Sequence, residues 1–275
     1  MKKKVLTGLS GLLVIILFST LFLTGCGGGS FTSVTGLVKM APQNVQVILF
    51  LDFKKIGSDS DFSELYEDMR ASFESDISTT GSDLDFMDFE DIHYLGVVQV
   101  NGREIVWING DLNLNAIRAE LENKFDKDDY RGIEVWYSYG QAIAIHNGAL
   151  LIGDESSVMG SLEAIVNPEK SAYRANKDIR SVVDRLSSGL FSVILADSYY
   201  QGSNAVAMTY LKINSEMMKL TGSFIFDNEE YAEDAMNDIK NDMESGGLVE
   251  VTSRRSENFV EFSAEIDIED SGLFW

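Results

Sequence analysis

The chain holds one cysteine, Cys26, and two histidines, His93 and His146. Nucleophilic catalysis needs an activated Ser or Cys beside a base. No Gly-x-Ser-x-Gly or Ser-x-x-Lys pattern occurs after Cys26. Both histidines fall at strand positions, and neither has a second ligand at local metal-site spacing, so each is read as structural or surface-facing. The acidic run Asp83-Leu-Asp-Phe-Met-Asp-Phe-Glu-Asp91 invites a calcium reading. As an EF-hand loop it would place Asp88 where the turn needs glycine and Tyr94 where it needs a bidentate glutamate. It is therefore read as a solvated acidic loop, as is Asp126-Lys-Asp-Asp129. The triplet Gly27-Gly28-Gly29 lacks the strand and helix that flank a phosphate-binding loop. One loop, Asp197-Ser-Tyr-Tyr-Gln-Gly-Ser-Asn204, sets aromatic faces beside amides and hydroxyls, a mixture suited to sugars or peptides. Its Tyr199, Tyr200, Gln201 and Asn204 are the candidate ligand contacts. No metal, cofactor or catalytic set is expected, and the chain is read as non-enzymatic.

What Cys26 does is set by its surroundings. The chain opens Met1-Lys2-Lys3-Lys4, and no charged residue occurs from Val5 to Cys26. A basic start, an apolar middle and small residues at the exit make a secretory signal. The residues Leu23-Thr24-Gly25-Cys26 resemble the lipobox of bacterial lipoproteins: an aliphatic residue, a small or hydroxylated one, a small one, then cysteine. The resemblance implies that residues 1–25 are removed and that the Cys26 sulfur carries diacylglycerol. Two other fates are open to the segment. About 20 apolar residues are enough to span a bilayer, so the segment is also long enough for an uncleaved helix. A conventional cleavage would leave Cys26 as a free thiol. The lipobox and the following glycines favour lipidation. Residues 26–40 are then the lipidated cysteine and a flexible tether, rich in Gly, Ser and Thr.

Charge narrows the partners. Lys and Arg number 22 against 44 Asp and Glu. Without Lys2, Lys3 and Lys4 the balance is 19 against 44, a net −25. Such a surface repels nucleic acid and gives no electrostatic grip on anionic lipid. The expected contact with the membrane is the lipid anchor alone, on the extracytoplasmic side, at the outer face of the cell membrane or in a periplasm.

The elements that would carry any site follow from hydropathy. Val45-Gln-Val-Ile-Leu-Phe-Leu51 reads as a buried strand. Asp61 reads as an N-cap before Phe62, Leu65, Tyr66, Met69, Phe73 and Ile77 at helical spacing. Strands over 92–100 and 103–109 flank Asn101-Gly102, a type I′ hairpin signal. A helix follows with Leu114, Ile117, Leu121 and Phe125 on one face. Strands over 133–138, 141–146 and 149–152 come next, and Asp154 opens a helix that Asn167-Pro168 ends. Beyond it, Ile179, Val182, Val183 and Leu186 mark a helix. Strands are expected near 190–196, 205–213 and 218–226, then a helix near 229–244 and strands near 248–254 and 258–268. In the last, Val260, Phe262, Ala264 and Ile266 alternate with Glu261, Ser263, Glu265 and Asp267, which describes an antiparallel strand with one wet side.

The fold class expected is α+β, mostly antiparallel sheet with packed helices. Two units are expected, 41–168 and 169–275, built on a shared strand–helix–strand–strand pattern. The helices at 114–125 and 232–243 share their apolar spacing, and Gly132-Ile-Glu-Val-Trp136 matches Gly247-Leu-Val-Glu-Val251 in character. The mature part resembles bacterial lipoproteins of repeated α+β units. The missing catalytic signatures and the tether favour a binding or scaffold module for a protein or envelope component. Rival readings are a carrier of hydrophobic molecules in a sheet-lined cavity and a hydrolase with dispersed carboxylates.

Overall fold

The computed structural model describes residues 31–79, 88–196 and 202–268. They divide into two compact units, 31–177 and 178–268. The signal segment and Cys26 lie outside the described residues.

The first unit runs α1 (Val34–Met40), β1 (Val45–Asp52), α2 (Phe53–Gly57), α3 (Ser63–Thr79), β2 (Ile92–Val100), β3 (Arg103–Gly110), α4 (Leu114–Lys124), β4 (Asp126–Tyr130), β5 (Ile133–Ser138), β6 (Gln141–His146), β7 (Ala149–Asp154), α5 (Glu155–Val166) and α6 (Ala172–Ala175). Its strands lie in the order β1-β2-β3-β7-β6-β5-β4, with antiparallel neighbours throughout. The second unit takes up α7 (Lys177–Val183) from Asp178 and continues with β8 (Phe191–Ala196), β9 (Ala205–Lys212), β10 (Met217–Ile225), α8 (Glu229–Ser245), β11 (Val249–Ser256) and β12 (Phe259–Asp267). Its order is β8-β9-β10-β12-β11, again antiparallel. The fold is α+β, as the hydropathy pattern requires.

Both units trace one path. Three strands lie side by side, a helix follows, and a meander returns its last strand to the flank of the third. The meander has four strands in the first unit, β4 to β7, and two in the second, β11 and β12. α4 and α8 hold equivalent places, as their shared spacing suggests. The match of 132–136 with 247–251 does not survive, because β5 lies third from β3 whereas β11 lies second from β10.

The expected boundaries shift in two places. Residues 31–40 are not tether. Ser33 caps α1 through its hydroxyl, which accepts from the Gly36 N–H at 3.2 Å. Phe31 is fully buried, edge-on to Trp107 and Phe50 at centroid distances of 5.9 and 6.3 Å. The Asn109 amide donates to the Phe31 carbonyl at 2.8 Å. Leu37 lies so close over Gly96 that a Cβ there would be 2.6 Å from its Cδ2. A seven-residue helix is too short to stand alone, and these long-range contacts hold it. Likewise, residues 169–177 belong to the first unit. The Ala172 N–H donates to the Ala41 carbonyl at 2.8 Å, and Ser171 bridges Pro42.

Local signals otherwise place the elements well. Asn101 and Gly102 take φ of 52° and 74°, and Asn147 and Gly148 take 46° and 79°, as tight hairpins need. Gly102→Ala meets no neighbour within 4 Å, so its cost is backbone strain alone. We expect about 1 kcal/mol of lost stability in urea unfolding. Asp154 caps α5 as expected. Before α3 stands a 3-10 turn over Ser60–Phe62, which Asp59 caps by accepting from the Asp61 N–H at 3.1 Å. Phe73 and Ile77 lie outside the residues whose side chains are described.

β4 is a further correction. Asp126-Lys-Asp-Asp129 is not a loop but an edge strand paired with β5. It lacks an apolar face, yet Lys127 pairs with Glu134 at 3.0 Å and stands over the Trp136 ring at 5.1 Å. Charged side chains on an edge discourage pairing with another chain.

Candidate functional site

Of the expected ligand loop, Tyr199, Tyr200 and Gln201 lie outside the described residues. Asn204 is half-buried, and its side-chain nitrogen donates to Asp227 Oδ1 at 2.9 Å and Asp178 Oδ2 at 3.4 Å. Its backbone N–H donates to the Ile225 carbonyl at 2.8 Å. Asn204 therefore ties strand ends together, and its amide nitrogen is not free for a ligand.

The histidines are not brought together: His93 stands on β2 and His146 on β6, with β3 and β7 between them. His93 Nε2 lies 3.5 Å from Asp111 Oδ2. His146 Nε2 lies 2.9 Å from the Asn147 side-chain nitrogen, and burial pushes the His146 pKa below its ordinary 6.5. The folded state thus disfavours the imidazolium. Between the folded and unfolded pKa values the unfolded chain binds more protons, so stability rises with pH. The His146 contribution to the first unit's stability should be complete above pH 6.5 and be lost as pH falls from there toward the lower folded-state value. Thermal melts of His146→Gln should show a flatter dependence across that window. An unchanged slope would mean that other groups carry it.

Several carboxylates form structural pairs. Glu90 accepts from Arg70 at 3.1 Å. Glu163 is held at a pKa of about 2 by hydrogen bonds from the Tyr130 hydroxyl and Lys170. Burial alone would raise the Glu134 pKa, but hydrogen bonds from Arg118 and Lys127 outweigh it and lower it. Among the described residues no group of three His, Cys, Asp or Glu side chains is placed to hold a metal ion.

A site that hydropathy alone does not reveal lies on the second unit. Its sheet has an apolar face bearing Val260, Phe262 and Ala264 of β12 beside Phe224, Gly222 and Leu220 of β10. Ala232, Ala235 and Ile239 of α8 are buried, and the helix packs on β11 and β12. The opposite face is a row of hydroxyls. Register pairs Ser192 with Thr209, Thr209 with Thr221, Thr221 with Ser263 and Ser263 with Thr252, one from each of the five strands. Burial grades along the row: Ser192 and Thr209 are buried, Thr221 and Ser263 half-buried, and Thr252 exposed. The buried end is satisfied internally, with Ser192 Oγ and Thr209 Oγ1 2.9 Å apart and Thr209 donating to the Phe191 carbonyl.

The neighbouring row brings Ser223, Glu261 and Arg254 side by side. Glu261 Oε2 accepts from Arg254 Nε at 2.7 Å and lies 2.6 Å from its Nη2. Glu261 Oε1 accepts from Arg185 Nη1 at 3.2 Å. Arg185, in the connection between α7 and β8, lies over the Phe259 ring at 3.9 Å. Ser223 Oγ is buried and has no hydrogen-bond partner among the described residues. Two adjoining open depressions, of about 380 and 340 Å³, share Arg254 and Glu261. The result is a polar groove on a rigid sheet. Glu261-x-Ser263-x-Glu265 was visible as a wet strand face, but the row across five strands depends on register and not on local pattern.

No family model matches the chain, and no curated protein matches it. Among solved structures, crystal form IV of TP0453 matches with a TM-score of 0.48 at 11% identity, covering 86% of this chain and 94% of that one. Crystal form I of TP0453 gives 0.47 at 12% identity, covering 86% and 97%. Likeness at this level carries no argument about site or activity.

Proposed function

We propose that the protein is a lipid-anchored, extracytoplasmic binding or scaffold module without enzymatic activity. The observation that carries this reading is Leu23-Thr24-Gly25-Cys26, set behind Lys2-Lys3-Lys4 and an uncharged run from Val5. Acyl chains on one cysteine each contribute ~0.8 kcal/mol per buried CH₂, so two or three of them hold a protein at the bilayer durably. No described helix is long and apolar enough to cross a membrane. The fold supports close mounting. Cys26 precedes the buried Phe31 by five residues. At about 3.3–3.6 Å per residue the first unit sits within roughly 18 Å of its anchor. The groove on the second unit presents hydroxyls and guanidiniums, and both oxygens of its Glu261 are engaged by arginine. That arrangement suits holding a polar partner more than moving a proton or sheltering an apolar molecule.

Phase separation in a cloud-point detergent tests the anchor. The full chain from a bacterial host should enter the detergent phase. Recovery of the mature protein in the aqueous phase would sink the reading.

A further inference from the structure

We propose that the groove of the second unit binds an anionic saccharide, with its oxyanion on Arg185 and Arg254 and its hydroxyls on the exposed end of the Ser/Thr row. The proposal rests on the reading of this protein as a binding module and names the ligand class.

Charge comes first. Among the described residues Arg185 and Arg254 share one carboxylate, Glu261, so two guanidiniums meet a single carboxylate in this cluster. They do so in a chain where acidic residues outnumber basic ones 44 to 22. A pair serving stability alone is complete with one arginine, and exposed pairs stabilise little. Glu261 engages Nε and Nη2 of Arg254 and Nη1 of Arg185. Arg254 Nη1 and Arg185 Nη2 keep donors for an incoming oxyanion. The Phe259 ring fixes the plane of the Arg185 guanidinium.

The hydroxyls supply the second half. Thr221, Ser263 and Thr252 stand on successive strands about 4.8 Å apart. A hydroxyl both donates and accepts, as sugar hydroxyls do; Thr252 Oγ1 donates to the Ser263 carbonyl at 3.3 Å and keeps its acceptor capacity. Ser223 Oγ, buried beside Glu261 and without a partner among the described residues, is a group that a ligand atom at the groove floor would satisfy. The depressions of about 380 and 340 Å³ fall within the usual range for small-ligand clefts. An extended acidic peptide fits less well. The floor is a sheet face whose backbone groups already pair between strands, so it offers no ladder for a peptide to join.

The test is titration calorimetry on the full chain, held in a detergent without a sugar headgroup. The probes are a uronate oligosaccharide, a hexose phosphate, the matching neutral oligosaccharide, inorganic phosphate and an acidic peptide. The uronate and the hexose phosphate should bind. The neutral sugar, inorganic phosphate and the peptide should each bind at least about tenfold more weakly, the loss expected when one charge-assisted contact set is missing. Arg254 is 80% exposed, so Arg254→Gln should keep the wild-type melting temperature and still weaken the uronate about tenfold. Arg185→Gln should weaken the uronate by a similar factor, with its binding read on protein shown to be folded by its melt, since this residue also packs on Phe259. Full-strength binding by either folded variant would overturn the proposal. So would inorganic phosphate or the acidic peptide binding as tightly as the uronate, or silence from all five probes. These outcomes separate from failure of the anchor. Loss of fatty-acid labelling with the groove still binding would remove the membrane reading alone. A silent groove in a labelled, folded protein would remove this inference alone.

Discussion

Phe31→Ala should destabilise the first unit by about 3–5 kcal/mol, the cost of truncating a fully buried aromatic residue. The side chain fills a site walled by Trp107 and Phe50, and a methyl group leaves that site open. The polar contact at the same residue is through the backbone and survives truncation: Asn109 still reaches the Phe31 carbonyl. The loss is therefore packing, not hydrogen bonding. A tether residue would behave differently, since surface substitutions usually stay within about 0.5 kcal/mol. Urea unfolding of the full chain in detergent separates the two. A loss below about 0.5 kcal/mol would mean that the flexible segment runs past Phe31.

Cys26→Ser should abolish lipid attachment completely. The modifying chemistry forms a thioether, and a serine hydroxyl does not replace the sulfur. The lipoprotein-type cleavage that depends on the modified cysteine should fail with it. The variant should persist as a longer precursor held by residues 5–25, or be cut elsewhere and released. Its net charge without Lys2, Lys3 and Lys4 is −25, and no described helix is long and apolar enough to cross a bilayer. A chain beginning at Gly27 keeps Phe31 and everything packed on it, and it should fold and stay in solution without detergent. A Cys26→Ser protein that still enters the detergent phase at its mature length would contradict this account.

Much of the fold could be read from local pattern. The alternation in β12 matches its burial, with Val260, Phe262, Ala264 and Ile266 inside. The Asn-Gly turns and the Asp154 cap are local devices that act within a few residues. What local pattern missed depends on distant partners. Residues 31–40 follow a glycine-rich stretch and look like its continuation, but distant partners, Trp107 and Asn109 against Phe31 and Gly96 under Leu37, make them part of the core. β4 has charged residues on both faces, so its pairing with β5 leaves no hydropathy signal. Asn204 has the composition of a ligand contact, but its amide is held by Asp227. The groove is the clearest case. Ser192, Thr209, Thr221, Ser263 and Thr252 are ordinary strand residues one by one, and register across five strands makes them a row.

The central claim is that Cys26 carries lipid at the start of the mature chain. Growing cells that express the full chain with a clickable fatty acid, then taking the intact mass of the purified protein, tests it directly. The account predicts a labelled protein that lacks residues 1–25 and carries an acylated Cys26 at its amino terminus. An unlabelled protein that keeps residues 1–25 would contradict it and make the segment from Val5 to Cys26 a membrane-spanning anchor.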